Sequence, residues 1–361
     1  MPPLHPDSRD LTDIHVLDPH ERHPHEPRVL RTLPSAGRSE PTAPVAVDDV
    51  GRPRVMAAFR AWGPTSRTAV VAVAGVSVAY AFATFFARQL TTGGLSSATV
   101  AFARFALIAL VLMPFVRLDR ENRSATVWGL GSGAAMAVGW VAYVRAIDTG
   151  DVAVAGVIYM TYPLFTVAAL AAVFRMRPSL RQLGGGLLVV LGAVVALGSG
   201  GGGDLPLVAF AAPATFGFSI AVLTERLVRL DPFERLGAVA VGASITLLPV
   251  LVALPADEVV PASVSSWLWI VGLGIGCALL PMLLYAACAP ALGAARSAVA
   301  GSAELPIVFV IGAAFFGEAI RLQHLLAAGI IVVAIVVTPT TRTPHVQPDL
   351  DAHRRAESSP E

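Results

Sequence analysis

Lysine is absent from this chain of 361 residues, and all 26 basic side chains are arginines. Charged side chains make up only 14% of the residues, and the formal net charge is +1. A nucleic-acid partner is not expected, because a surface that binds phosphates needs a concentrated basic excess. Without lysine the chain also cannot form the lysine-containing phosphate loop of nucleotide hydrolases. No cofactor is expected.

Cysteine and histidine are scarce in the apolar part of the chain. Cys277 and Cys288 lie on one apolar segment, where a helix would hold them roughly 16 Å apart, too far for a disulfide. Five of the eight histidines lie at positions 5, 15, 20, 23 and 25. The segment His20–His25 could ligate a metal, but a solvated tail is the favoured interpretation, so no metal site is predicted.

Long polar stretches are confined to the two ends. Residues 1–66 are rich in proline and arginine and have no apolar period, which predicts a disordered cytoplasmic tail. Met56 is an alternative start within it. Residues 339–361 are predicted to form a second disordered cytoplasmic tail. The remainder is very apolar, since 55% of all residues are hydrophobic and the mean hydropathy is +0.68.

Between the tails the sequence is a series of apolar runs, each long enough to cross a hydrocarbon core of about 30 Å. The runs are continuously apolar, whereas strands of a membrane barrel would alternate, so helices are predicted. The predicted helices fall near residues 69–90, 96–116, 126–147, 152–174, 183–199, 206–227, 235–254, 265–288, 292–316 and 321–338. The predicted fold class is an all-α integral membrane protein with ten transmembrane helices.

Arginines are concentrated in alternate connections between these helices. The connections after helices 2, 4, 6 and 8 contain Arg117, Arg120, Arg123, Arg175, Arg177, Arg181, Arg226, Arg229, Arg235 and Arg296. The connections after helices 1, 5 and 7 are glycine-rich or acidic. Because arginine is retained on the cytoplasmic side, the pattern predicts an inner-membrane protein with both termini in the cytoplasm.

A constant offset of 143 residues relates the two halves of the chain. It pairs Gly129–Gly133 with Gly272–Gly276, Gly150 with Gly293, Pro163 with Pro306, and Gly186 with Gly329. The earliest helices match at an offset near 136, where Tyr80 and Phe82 face Phe216 and Phe218. Residues 67–203 and 204–338 are therefore predicted to be two five-helix repeats.

An odd number of helices per repeat makes the second repeat enter the membrane from the opposite side. Arg175, in a predicted cytoplasmic connection, accordingly has Glu318 as its mate in a predicted external one. Inverted repeats are frequent in secondary transporters, because two related halves can exchange conformations and open a central site alternately to either side. The architecture favours transport of a small solute.

An ordered set of short motifs resembles the EamA-like, ten-helix form of the drug/metabolite transporter superfamily. The motifs are Phe102-Ala103-Arg104-Phe105, Ala142-Tyr143-Val144-Arg145-Ala146, Tyr162-Pro163, Leu305-Pro306 and Gly317-Glu318. The first repeat departs from this pattern, with Phe174-Arg175 where Gly-Glu is usual. The resemblance implies gradient-driven movement of an amino acid or related metabolite, with export favoured, and no enzymatic activity.

Glu304 is the main candidate for a site residue. It lies eight residues beyond Arg296, so a helix would carry it roughly 12 Å into the membrane. A charge at that depth costs about 2.5 to 3.5 kcal/mol and is a functional candidate by default. We hypothesise that Glu304 binds a cationic group of the solute or a coupling proton. The structural alternative is an ion pair with Arg296 or Arg104.

Two prolines mark symmetry-related positions beside this candidate. Pro163 and Pro306 each remove the hydrogen bond to the carbonyl four residues earlier, at Tyr159 and Ser302. Helix kinks with free carbonyls and polar neighbours predict a solute site near the bilayer midplane. The polar neighbours at these positions are Thr161, Ser302 and Glu304.

Arginine and aromatic side chains complete the candidate site. Arg104 either meets a carboxylate of the solute or caps helix carbonyls, and the structural role is favoured. The aromatic candidates for lining a cavity are Tyr80, Trp140, Tyr143, Tyr159 and Tyr162. Anchoring at the membrane interface is the alternative, and it suits Tyr143 and the pair Trp267/Trp269 best.

Other functions fit less well. The predicted helices contain one histidine, His324, and no paired carboxylates, which disfavours a membrane-embedded enzyme. A channel would need a ring of polar residues from several helices. A membrane scaffold or sensor would need no buried glutamate. The expected partners are a small solute and the lipid bilayer, and the sequence leaves open whether two copies form a homodimer.

Overall fold

A computed structural model of the chain describes residues 64–149, 152–197, 210–316 and 319–339. Residues 1–63 and 340–361 of the predicted tails lie outside these ranges, as do the five early histidines and Met56. Gly150, Gly317 and Glu318 also lie outside the described residues. Within the described ranges every regular element is a helix, in agreement with the predicted all-α fold class.

Helical segments occupy all ten predicted positions, and two of them are divided into halves. The segments are α1 (Ser66–Thr92), α2 (Ser97–Leu112), α3 (Arg123–Thr149), α4a (Val152–Tyr159), α4b (Tyr162–Ala172), α5 (Leu180–Leu197), α6 (Ala211–Glu225), α7 (Pro232–Val252), α8 (Val264–Leu292), α9a (Ala294–Gly301), α9b (Glu304–Phe316) and α10 (Leu322–Val337). A short 3-10 turn follows α2, and a one-turn helix, Ala256–Val259, precedes α8.

Six of the described segments are long and apolar enough to cross a membrane, namely α1, α2, α3, α7, α8 and the whole of α9. The shorter α4b, α5 and α10 are also apolar. Large apolar side chains point outward from several helices; Leu110 on α2, for example, is 77% exposed. Outward apolar surface of this extent suits lipid as the surrounding solvent.

Local sequence explains where several helices begin. Thr65, Ser96 and Ser263 each accept a hydrogen bond from a backbone N–H of the first turn, at 3.1 to 3.3 Å. At α7, Asp231 accepts from the N–H of Glu234, whose carboxylate in turn accepts from the N–H of Asp231. These caps satisfy backbone donors that a helix start leaves without partners.

The breaks in α4 and α9 fall at equivalent positions of the two repeats. Residues 160–161 separate α4a from α4b, and residues 302–303 separate α9a from α9b. Pro163 and Pro306 then lie in the first turns of the second halves. Proline is tolerated in a first turn, where no intrahelical donor is needed, and is unfavourable in a helix interior. Each proline therefore favours a restart of the helix just before it.

The helices of the two repeats interdigitate. α3 packs closely against α6 and α7, and its repeat mate α8 packs against α1 and α2. α2 also contacts its own mate α7, and α5 contacts its mate α10. The contact pattern is thus preserved when each helix is exchanged with its mate, and the core lies between the two halves.

Glycines permit the closest of these approaches. A Cβ at Gly133 would collide with the backbone of Val239 on α7, and one at Gly242 would collide with the backbone of Leu130 on α3. Between α8 and α9a the chain turns at Gly293, whose φ of 77° lies in the left-handed region that favours glycine.

Candidate functional site

All five tyrosines of the chain gather around the centre of the helix bundle. Tyr80 and Tyr285 have ring centroids 6.4 Å apart. Tyr159 lies 4.8 Å from Tyr143 and 5.4 Å from Tyr162. The five residues come from α1, α3, both halves of α4, and α8, so the cluster exists only in the folded bundle.

A small cavity at this position brings the two candidate charges together. Its volume of about 10 Å³ is room for about one water molecule. Arg104 and Glu304 both line it. The other lining residues are Tyr80, Met136, Trp140, Tyr143, Tyr159, Phe216 and Met282. A basic and an acidic side chain thus line one small cavity together with aromatic rings.

Arg104 enters the cavity from α2 and is only 3% exposed. Its guanidinium carbon lies 3.9 Å from the centroid of Trp140 and 6.0 Å from that of Tyr80, so the cation stacks on aromatic faces. Its Nε and Nη1 atoms are buried and have no hydrogen-bond partner among the described residues. These two nitrogens make no hydrogen bond to helix carbonyls or to Glu304 in the described part of the chain, and the roles considered from the sequence for Arg104 stay predictions.

Glu304 is the first residue of α9b and is 4% exposed. The break in α9 places it at a helix N-terminus, where the partial positive charge of the helix favours an anion by about 0.3 to 1 kcal/mol. Glu304 lies on α9 and Arg104 on α2, so the two side chains approach the cavity from different repeats.

Side chains from neighbouring helices hydrogen-bond the backbone around the break in α9. The hydroxyl of Ser77 donates to the carbonyl of Gly301 at 3.0 Å, and the hydroxyl of Tyr162 donates to that of Ala298 at 2.8 Å. The carbonyl of Ser302 accepts from the N–H of Leu305 at 3.1 Å. The sequence predicted a free carbonyl at Ser302, and this was wrong because the chain tightens into a turn there.

Three of the predicted site residues support the breaks and do not line the cavity. Thr161 is partly buried, and its hydroxyl donates to the carbonyl of Ile158 at 2.7 Å. The hydroxyl of Ser302 donates to the carbonyl of Ala298 at 3.3 Å. Tyr162, which is 1% exposed, bonds that same carbonyl across the two broken helices. Tyr80, Trp140, Tyr159, Arg104 and Glu304 do line the cavity.

Tyr143 corrects an expectation from the sequence, which assigned it most readily to the membrane interface. The residue is 4% exposed and lines the central cavity. Its hydroxyl lies 3.0 Å from that of Thr84 on α1. Trp267, by contrast, is 53% exposed, while Trp269 packs against Phe85 and Phe86.

A second cavity of about 40 Å³ adjoins the first. The two share Tyr80, Met136, Phe216 and Met282 as walls. The second cavity is lined mainly by apolar side chains, and Ser132 and Tyr285 also line it. Both hydroxyls are buried without a hydrogen-bond partner in the described part of the chain. They can therefore bond a polar group of a bound molecule.

Sequence reasoning missed Met136, Phe216, Met282, Ser132 and Tyr285 as lining residues. One signal was available for Phe216, because the repeat offset pairs it with the candidate Tyr80. Another was available for Tyr285, since only five tyrosines occur and the other four were already under consideration. For the two methionines and the serine no signal exists, because such residues are common throughout membrane helices.

Comparison with known proteins gives one family and a set of related folds. The model of the EamA-like transporter family matches residues 67–198 and 206–339, one segment for each predicted repeat. Curated proteins give no match. Among solved structures, 29 chains match. One of these is described only as the crystal structure of a protein, and its sequence is 20% identical to this chain. The two structures align with a TM-score of 0.58 over 75% of this chain and 96% of the other.

The structural match shows a shared fold, and the family match covers most of the chain. No group of three or more potential metal-binding side chains occurs among the described residues. Both the apolar helices and the two matched segments are those of a multi-pass membrane transporter of the drug/metabolite superfamily. The chain belongs to the EamA-like transporter family.

Proposed function

We propose that the protein is a gradient-driven transporter of a small zwitterionic metabolite, an amino acid or a close relative, which it exports across the inner membrane by alternating access. One observation carries this proposal: Arg104 lines the central cavity with two buried nitrogens that have no hydrogen-bond partner among the described residues, and Glu304 lines the same cavity. Buried guanidinium nitrogens without hydrogen bonds are costly unless a ligand supplies acceptors for them.

The two charges have complementary roles in this proposal. Arg104 binds the carboxylate, because a planar guanidinium matches the two oxygens of that group. Glu304 binds the ammonium group, and the ring of Tyr159, which also lines the cavity, packs beside this cation. Glu304 has a second candidate role: it binds a coupling proton when the solute is absent.

Alternating access is supported by the exchange symmetry of the contacts. α3 with α6 and α7, and α8 with α1 and α2, form two equivalent sets of helices around the site. Inverted repeats of this kind can exchange their conformations, so that a central site opens first to one side and then to the other. The two broken helices, α4 and α9, meet beside the site and supply backbone that is not tied into a regular helix.

Counterflow in proteoliposomes tests the proposal directly. Vesicles containing purified protein are loaded with a mixture of unlabelled L-amino acids, and entry of each labelled amino acid is followed. We expect saturable counterflow of at least one amino acid. Two analogues should compete at least about tenfold more weakly than the amino acid itself, because each leaves a buried charge without a partner. The carboxamide lacks the carboxylate, and the α-hydroxy acid lacks the ammonium group.

Arg104→Gln and Arg104→Lys separate charge from geometry. Both variants should lower kcat/KM for the zwitterion by at least about tenfold, since lysine cannot present two parallel donors or stack on Trp140. The exposed Arg229 is the matched control, and Arg229→Gln should leave the flux unchanged. Equal transport of the amino acid and its carboxamide would contradict the zwitterion. Binding without counterflow would support a membrane sensor.

A further inference from the structure

The side chain of Arg235 hydrogen-bonds neighbouring segments at one end of the helix bundle. It lies in the first turn of α7 and is 8% exposed. Its Nε donates to the carbonyl of Leu227, its Nη2 to that of Val228, and its Nη1 to that of Ala286, each at 2.8 Å. The first two carbonyls follow α6 and the third belongs to α8. One side chain therefore connects three helices of the second repeat.

The bond to α8 exists because of a proline. In a regular helix the carbonyl of Ala286 would accept from the N–H of residue 290, but Pro290 has no N–H. Arg235 supplies the missing donor. Arg235 and Ala286 also line the second cavity, so this contact closes the space next to the proposed solute site.

Arg88 makes the corresponding contact in the first repeat. It lies in the last two turns of α1, and its Nη1 donates at 2.7 Å to the carbonyl of Ile147, near the end of α3. α3 and α8 are equivalent under the repeat offset. Each arginine thus reaches the C-terminal part of the same helix in its repeat, although Arg88 comes from the first helix of its repeat and Arg235 from the second.

The two contacts lie at opposite ends of the bundle if consecutive helices alternate in direction. α1 and α3 then end on one side of the membrane. α7 begins, and α6 and α8 end, on the other side. In this conformation both contacts are made, and the two central cavities hold only about 10 and 40 Å³. Cavities of this size cannot hold an amino acid, so the bundle must open before a solute enters or leaves.

We propose that Arg88 and Arg235 are opposing gates, one at each end of the site, and that each transport cycle opens them in turn. The inference rests on the proposed alternating access. Hydrogen bonds from a guanidinium to carbonyls suit such a gate, because they are strong when shielded and are replaced by bonds to water when the end opens. Loss of one gate favours the conformation that is open on its side.

Thiol labelling from each side of the membrane tests the gates. Met136, which lines both cavities, is replaced by cysteine in a Cys277→Ala/Cys288→Ala background. A membrane-impermeant maleimide is then applied to vesicles of known orientation. Arg235→Gln should raise labelling from the side where α7 begins, and lower it from the other side. Arg88→Gln should do the reverse. The ratio of the two labelling rates should shift by roughly tenfold, the scale of one charge-assisted hydrogen bond.

Charge-preserving variants and a control complete the experiment. Arg88→Lys and Arg235→Lys should shift labelling in the same directions but less, because lysine retains the charge without the guanidinium fork. Arg229→Gln should leave the ratio as it is. Parallel changes on both sides, or no change, would overturn the gates. The labelling experiment needs no solute, so its result does not depend on whether the solute is a zwitterion. Counterflow of the unmodified chain tests the zwitterionic solute separately.

Discussion

Glu304 and Arg104 are two of three charged residues that are buried within the described part of the chain; Arg235 is the third. The three differ in how their polar atoms are used. Arg235 donates from all three nitrogens to carbonyls, whereas two nitrogens of Arg104 have no hydrogen-bond partner in the part of the chain that the structure describes. The first arrangement is that of a structural or gating contact. The second leaves bonding capacity for a ligand.

Glu304→Gln distinguishes the two roles considered for this carboxylate. If Glu304 binds the ammonium group, the amide should weaken solute binding at least about tenfold, because a charged acceptor becomes neutral. If Glu304 carries a coupling proton, counterflow should persist while accumulation driven by a pH gradient is lost. Both are measured in the same proteoliposomes. Wild-type affinity together with unchanged pH-dependent flux would exclude both roles.

Tyr285→Phe and Ser132→Ala test the hydroxyls of the second cavity. Each removes a buried hydroxyl that has no hydrogen-bond partner among the described residues, so the free energy of unfolding should stay the same or rise slightly. Solutes whose side chains carry a hydrogen-bonding group should lose affinity, by roughly fivefold or more, relative to apolar ones of equal size. Competition assays with glutamine and methionine measure this. An equal effect on both competitors would contradict the assignment.

At the level of helices, the contact between α3 and α7 depends on glycine. Gly133 faces the backbone of Val239, while Gly131, two residues earlier on α3, has open space around it. Gly133→Ala should lower the midpoint of thermal unfolding in detergent, because the added methyl overpacks a backbone contact at a cost of about 1 to 3 kcal/mol.

Gly131→Ala is the matched control for this prediction. The same methyl group meets no atom there, and alanine favours a helix over glycine by about 0.5 to 1 kcal/mol. Its midpoint should therefore equal or exceed that of the unmodified chain. A destabilisation as large as that of Gly133→Ala would show that the α3–α7 contact is not the cause.

The broken helices show how much local sequence can predict. Proline at positions 163 and 306 predicted an irregularity in both α4 and α9, and the structure has a break just before each. The hydrogen bonds to the carbonyls of Gly301 and Ala298 beside the break in α9 could not be predicted, because Ser77 on α1 and Tyr162 on α4b approach α9 only in the folded bundle. The π-helical segment Gly272–Leu279 of α8 was likewise not predicted.

For the whole molecule, the arginine distribution and ten crossings predict that both termini face the cytoplasm. Fluorescent-protein fusions at either end should fluoresce, and alkaline phosphatase fusions at the same sites should be inactive, since that enzyme requires export. A phosphatase fusion after residue 257, in the predicted external connection between α7 and α8, should be active. Activity at only one terminus would require an odd number of crossings.

Hydropathy alone determined that this chain is a helical membrane protein, and self-comparison of the sequence predicted where its two related halves lie. Both follow from local composition and order. Only the tertiary structure decided which side chains meet at the centre, because lipid-facing and buried positions of a membrane helix are both apolar and give little periodic contrast. Only helix packing therefore shows that Tyr143 and Tyr285 line the central cavities. Only the folded neighbours of Arg104 show that two of its nitrogens have no hydrogen-bond partner among the described residues.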